Sequence, residues 1–97
     1  MPQFVILINL TPKGLADIKN APARYQAVLK GIEAAGGKVL SFHATMGAYD
    51  YVLVAEGPSD EFAALMSLAT AAQGYITTQT LRAFTPEEFA GLVSKLP

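Results

Sequence analysis

The apolar run Phe4-Val5-Ile6-Leu7-Ile8 lies inside a block from Gln3 to Leu10 that ends at Thr11-Pro12-Lys13-Gly14, a set of turn residues. A β-branched block bounded in this way predicts a buried first strand. Leu15 to Ala21 has no clear period and reads as a connector with at most a short helical turn. After Pro22, the residues Tyr25, Val28, Leu29, Ile32 and Ala35 recur at helical spacing, and Gly36-Gly37 supplies the stop.

From Lys38 to Met46 the pattern alternates. Val39, Ser41, His43 and Thr45 fall on one face, and Leu40, Phe42, Ala44 and Met46 on the other. Gly47-Ala48-Tyr49 then makes a short connection into Asp50–Glu56, predicting a hairpin with Gly47 at positive φ. Gly57-Pro58 ends that strand. Ser59 is suited to cap a helix whose apolar stripe is Phe62, Leu65, Met66 and Ala69, with Gly74 as its end. Tyr75 to Ala83 is Thr-rich and extended, as an edge strand would be. Last, Thr85 and Glu88 have capping-box spacing, Pro86 takes the first helical position, and Phe84 with Phe89 is placed as a hydrophobic staple.

The order β-α-β-β-α-β plus a C-terminal helix predicts one α+β domain over residues 1–97, of the ferredoxin-like kind with an antiparallel sheet. In that topology the first and third strands are central, which suits their nearly continuous apolar character. Right-handed crossovers place both main helices on one face. Phe4, Ile6 and Ile8 point opposite to Val5 and Leu7, so both faces of the central strands are apolar. An uncovered face of that kind predicts a homodimer or higher oligomer packed sheet to sheet; a monomer closed by the last helix is the alternative.

Composition sharpens this expectation. The 97 residues are 52% hydrophobic and 15% charged, against roughly 45–50% and about 25% in ordinary domains. A chain of this size buries only roughly 60–65% of its unfolded surface, so a thin core is expected. The net charge is −1 and neither sign is clustered, which argues against nucleic acid as a partner. No cysteine is present, which excludes disulfides and thiolate chemistry. No apolar run approaches the ~20 residues that span a bilayer, and no signal-peptide pattern stands at the start; no membrane partner and a cytoplasmic location are expected.

The segment Thr45-Met46-Gly47-Ala48-Tyr49-Asp50-Tyr51-Val52 resembles the signature of the GYD-domain family, its Gly, Tyr and Asp being Gly47, Tyr49 and Asp50. Ile18-Lys19-Asn20-Ala21-Pro22, Gly36-Gly37-Lys38-Val39 and Thr80-Leu81-Arg82-Ala83-Phe84-Thr85 are similar to further stretches of that family, so the resemblance covers nearly the whole chain. It implies a dimeric α/β-barrel architecture and a family without an assigned activity. Two departures stand out: Thr77, where many relatives have arginine, and Pro12-Lys13 after Thr11.

Few residues carry chemistry. His43, the lone histidine, is a candidate general base, or else a hydrogen-bonded structural residue. Tyr49 and Asp50 read as turn residues or as the aromatic wall and orienting carboxylate of a ligand cleft. Arg82 is suited to clamp an anion bidentately, or to pair with an acid such as Asp50 or Glu56. Lys19 is a loop lysine or a ligand contact; Met46 and Met66 read as core filler. With one histidine, no metal site is expected, and no motif implies a cofactor. The functional expectation is a homo-oligomeric small-ligand-binding or assembly module. The alternatives are a cofactor-free monooxygenase- or isomerase-like enzyme using His43 or Tyr49 with Arg82, and a purely structural interaction domain.

Overall fold

In the computed structural model, which describes Met1–Pro97, the chain runs β1 (Gln3–Leu10), α1 (Pro12–Ala16), a 3-10 turn (Ile18–Asn20), α2 (Ala21–Ala34), β2 (Lys38–Ala44), β3 (Tyr51–Glu56), α3 (Asp60–Ala71), β4 (Ile76–Ala83) and α4 (Pro86–Val93). The strands make one antiparallel sheet in the order β2-β3-β1-β4. This is the ferredoxin-like α+β arrangement, with the two apolar strands central and the two alternating ones at the edges.

Local signals explain most boundaries. Ser59 caps α3 by accepting the Phe62 N–H at 3.2 Å. At α4 the capping box is complete: Thr85 Oγ1 accepts from Glu88 N–H at 3.1 Å, and Thr85 N–H donates to Glu88 Oε1 at 2.9 Å. The same Thr-Pro pairing operates at Thr11-Pro12, where Thr11 accepts the Gly14 N–H and starts α1. The segment expected to be a turn and connector is therefore a short helix followed by a 3-10 turn.

The hairpin departs from expectation in length. β2 stops at Ala44 and β3 starts at Tyr51, because Asp50 turns its N–H to the Ile8 carbonyl of β1, at 2.9 Å. Gly47 does adopt positive φ, +104°. Met46, expected in the core, is 98% exposed at the tip. A bulge between Val39 and Ser41 also breaks the alternation of β2. Val39 and Phe42 consequently both pack against the core, and Leu40 faces solvent.

The core is thin: 8 of 97 residues are buried, among them Phe4, Ile8, Ile32, Leu53 and Ala55. It lies where α2 and α3 meet one face of the sheet, with Val28, Leu29, Phe62 and Met66 packed around Ile8, Ile32 and Leu53. The α3 stripe is rotated from the expected one, and Leu65 is exposed with Leu68.

On the other face, register aligns the row His43, Val52, Leu7, Gln79 and the row Ser41, Val54, Val5, Leu81. An apolar centre is thus flanked by polar edge positions. No helix covers this outer face, though its valines and Leu7 are half-buried by one another. The larger exposed apolar surface is on α4, which makes no extensive contact with any other element and presents Phe89, Leu92 and Val93, with Leu96 just beyond its end. The chain exposes 6233 Å², where a compact monomer of its mass exposes roughly 5,400 Å². Its radius of gyration is 14.7 Å, against about 12.5 Å for a compact domain of this length. No helix is long and apolar enough to cross a membrane.

Candidate functional site

The two main helices do not close over the sheet. Between them lies a cleft of about 530 Å³, within the size range of small-molecule sites. Phe4, Ile6 and Ile8 of β1 and Leu53 and Ala55 of β3 form its floor. One wall is α2, where Ala23, Ala27 and Gly31 recur at four-residue spacing and leave room; the other is α3, with Phe62, Ala63, Met66 and Thr70.

The cleft is chemically uneven along its length. At the Phe4–Ala55 end its neighbours are Gly31, Ile32, Phe62 and Ala63. At the other end, near Ile8 and Ile76, stand Asn20, Arg24, Thr70, Gln73 and Thr78. Arg24 is held in place from several sides. Its Nη1 donates to Asp17 Oδ2 at 2.6 Å and to the Asp17 carbonyl at 3.1 Å. Its guanidinium lies 4.3 Å from the Tyr75 ring centre, and Lys13 Nζ is also 4.3 Å from that centre. Lys13 Nζ further donates to the Gln73 carbonyl at 3.0 Å.

This corner depends on a close approach. A Cβ on Gly14 would collide with the Tyr75 carbonyl oxygen, which itself accepts the Thr11 N–H at 3.0 Å. Only glycine lets α1 sit against the start of β4. Next to the corner, Tyr25, Phe42 and Tyr51 form an aromatic group, with ring centres 4.8 Å (Tyr25–Phe42) and 5.4 Å (Phe42–Tyr51) apart. Burial, reinforced by the Asp50 carboxylate and Tyr25, pushes the Tyr51 phenol above its ordinary value of 10.0.

The residues singled out in the sequence occupy separate places. Asp50 Oδ2 accepts the Leu10 N–H at 2.8 Å, and Asp50 N–H donates to the Ile8 carbonyl and to Asn9 Oδ1. Tyr49 Oη donates to Gln79 Oε1 at 3.0 Å, reaching a residue in the outer-face row. His43 belongs to that same row and is exposed.

Arg82 pairs with Phe4 in the register, six residues along β1 from Leu10 and so roughly 20 Å from Asp50. There it donates to the Ala83 carbonyl, stacks at 4.6 Å over Phe84 and stands 3.9 Å from Asp60. Lys19 is exposed in the 3-10 turn, beside the cleft residue Asn20. Tyr49 and Asp50 are thus close to one another, while Arg82 is at the other end of the sheet.

Arg24, Asn20, Thr70 and Gln73 were not singled out from the sequence. The one usable signal was Arg24, a charge at helical spacing beside the apolar positions Tyr25 and Val28.

A ferredoxin-like sheet with an open apolar cleft under its two helices defines the class of small ferredoxin-like α+β domains. Within it, the chain belongs to the GYD domain family, whose sequence profile matches residues 4–93. It is 32% identical over 97 residues to the glutamine synthetase and cystathionine beta-lyase binding protein of Thermus thermophilus, covering 99% of each chain. In structure it is similar to 5-chloro-2-hydroxyhydroquinone dehydrochlorinase (TftG) from Burkholderia phenoliruptrix AC1100, solved in complex with 2,5-dihydroxybenzoquinone. The TM-score is 0.63 at 18% identity, over 88% of this chain and 96% of that one. At that identity the likeness is one of fold.

Proposed function

We propose that this chain is a cytoplasmic, homo-oligomeric binding module that attaches to metabolic enzymes and holds a small molecule in the α2–α3 cleft. The observation that carries this reading is the end-to-end likeness, at 32% identity, to a relative named for binding glutamine synthetase and cystathionine beta-lyase. The surface is in keeping with it. The exposed area exceeds that of a compact monomer by roughly 900 Å², comparable to the ~800 Å² that one partner contributes to a standard interface.

Two surfaces are available for assembly. The outer face has an apolar centre, Val5, Leu7, Val52 and Val54, between polar edges, which suits sheet-to-sheet pairing of two copies. The α4 stripe Phe89, Leu92 and Val93, extended by Leu96 just past the helix, has the spacing of a helix that docks into an apolar groove. The enzyme alternative has less in its favour, because His43 and Tyr49 engage the outer face while Arg82 stands at the far end of β4.

The test is co-elution of the purified chain with glutamine synthetase and with cystathionine β-lyase from the same organism. A stoichiometric complex with either is expected; free passage of both enzymes would overturn the partner assignment. Light scattering during the same separation should give a mass of at least two copies, and a 10.3 kDa species would remove the oligomer.

A further inference from the structure

We infer that the cleft is a site for a small amphipathic carboxylate, its apolar body lying along β1 and its carboxylate at the Arg24 end. This rests on the small-ligand part of the proposed function and gives it a chemical class. The body is set by the floor: from Ile8 to Phe4 the cleft follows one face of β1, roughly 13 Å of strand. Apart from Thr78, the side chains that β1, β3 and β4 offer there are hydrocarbon. A flat or slender apolar group of that length fits, and a strongly polar one would lose its hydration without replacement.

The head is set by the asymmetry. The corner formed by α1, the 3-10 turn and the start of α2 carries Lys13, Lys19 and Arg24 against the single acid Asp17, so it is positive. Arg24 lines the cleft with its guanidinium over the Tyr75 ring, 4.3 Å from the ring centre, and its Nη1 is the atom engaged by Asp17. Its Nη2 makes only a 3.4 Å contact with the Gly14 carbonyl, which leaves donor capacity for an incoming carboxylate. Asn20 and Gln73 stand beside it as neutral hydrogen-bonding groups.

The probes are 4-phenylbutyrate and 4-phenylbutan-1-ol, which share the apolar body and differ in the head, titrated calorimetrically into the purified chain at neutral pH. The acid should bind at least about tenfold more tightly than the alcohol. Arg24→Gln should bring the acid down to the level of the alcohol. Gly31→Leu should abolish binding of both while keeping or raising the melting temperature, since a Cβ at Gly31 meets no atom within 4 Å and the leucine fills cleft space. Equal affinity for acid and alcohol would overturn the carboxylate class and leave the small-ligand reading standing. Binding of neither would remove both. Undiminished acid binding in Gly31→Leu would place the acid outside the cleft and overturn the inference. Co-elution with the two enzymes is scored separately and does not depend on any of these results.

Discussion

Replacing Asp50 by alanine removes the carboxylate that accepts the Leu10 N–H at 2.8 Å and leaves that half-buried backbone donor without its partner. A hydrogen bond to a charged acceptor contributes about 1.5–3 kcal/mol net, and an orphaned donor adds its desolvation cost when water cannot reach it. For a domain of 60–100 residues each kcal/mol moves the melting temperature by about 4–8 °C, so the variant should melt about 6–24 °C lower. Asp50→Asn keeps an oxygen in the same place as a neutral acceptor and should lose about half as much. Urea unfolding followed by circular dichroism is the assay: the midpoint should fall while the slope stays unchanged, because the folded state remains as compact. If Asp50→Ala lies within about 0.5 kcal/mol of the parent, the range of an ordinary surface change, the carboxylate is not a clamp. If stability is parental and yet 4-phenylbutyrate no longer binds, Asp50 is a ligand contact instead.

Two shorter tests address the corner and the aromatic group. Gly14→Ala drives a Cβ into the Tyr75 carbonyl oxygen, so it should destabilise by about 2–3 kcal/mol and weaken ligand binding together; a variant with parental melting behaviour would contradict the close approach. The raised Tyr51 phenol is neutral in the folded chain at pH values where the unfolded chain has begun to ionise. Its contribution is therefore complete below 10.0 and is lost as pH rises through the raised value. Between about pH 9 and about pH 11 the parent should lose more stability than Tyr51→Phe, and parallel curves for the two would refute this.

The strand order was legible because burial on both faces writes a different pattern from burial on one. β1 and β3 are apolar at nearly every position, whereas β2 and β4 alternate. The helix ends were legible where side chains cap them, as at Ser59 and Thr85. Thr11-Pro12 carried the same signal, but the glycine that follows resembles a turn, and its reason is tertiary: Gly14 meets Tyr75, sixty-one residues later. The β2 bulge was illegible for a related reason. A single inserted residue changes which side chains share a face without changing the composition of the segment. The cleft was hidden most completely, since Ala23, Ala27 and Gly31 look like ordinary helix positions until α3 stands opposite them and leaves the space empty.

The family signature is related to that space in a way its residue types alone do not suggest. Gly47 lets the hairpin turn, Tyr49 reaches Gln79 and Asp50 grips the backbone at both Ile8 and Leu10. Asp50 thus ties the β2–β3 connection to the end of β1, while Tyr49 ties it to β4. The side chain of Ile8 points the opposite way and forms the cleft floor at the Arg24 end. Asp50 holds the stretch of backbone that carries the floor residue nearest the guanidinium. A change at Asp50 should therefore be felt in the cleft as a loss of fit for the head of the ligand more than for its apolar body, even though Asp50 contributes no atom to the lining.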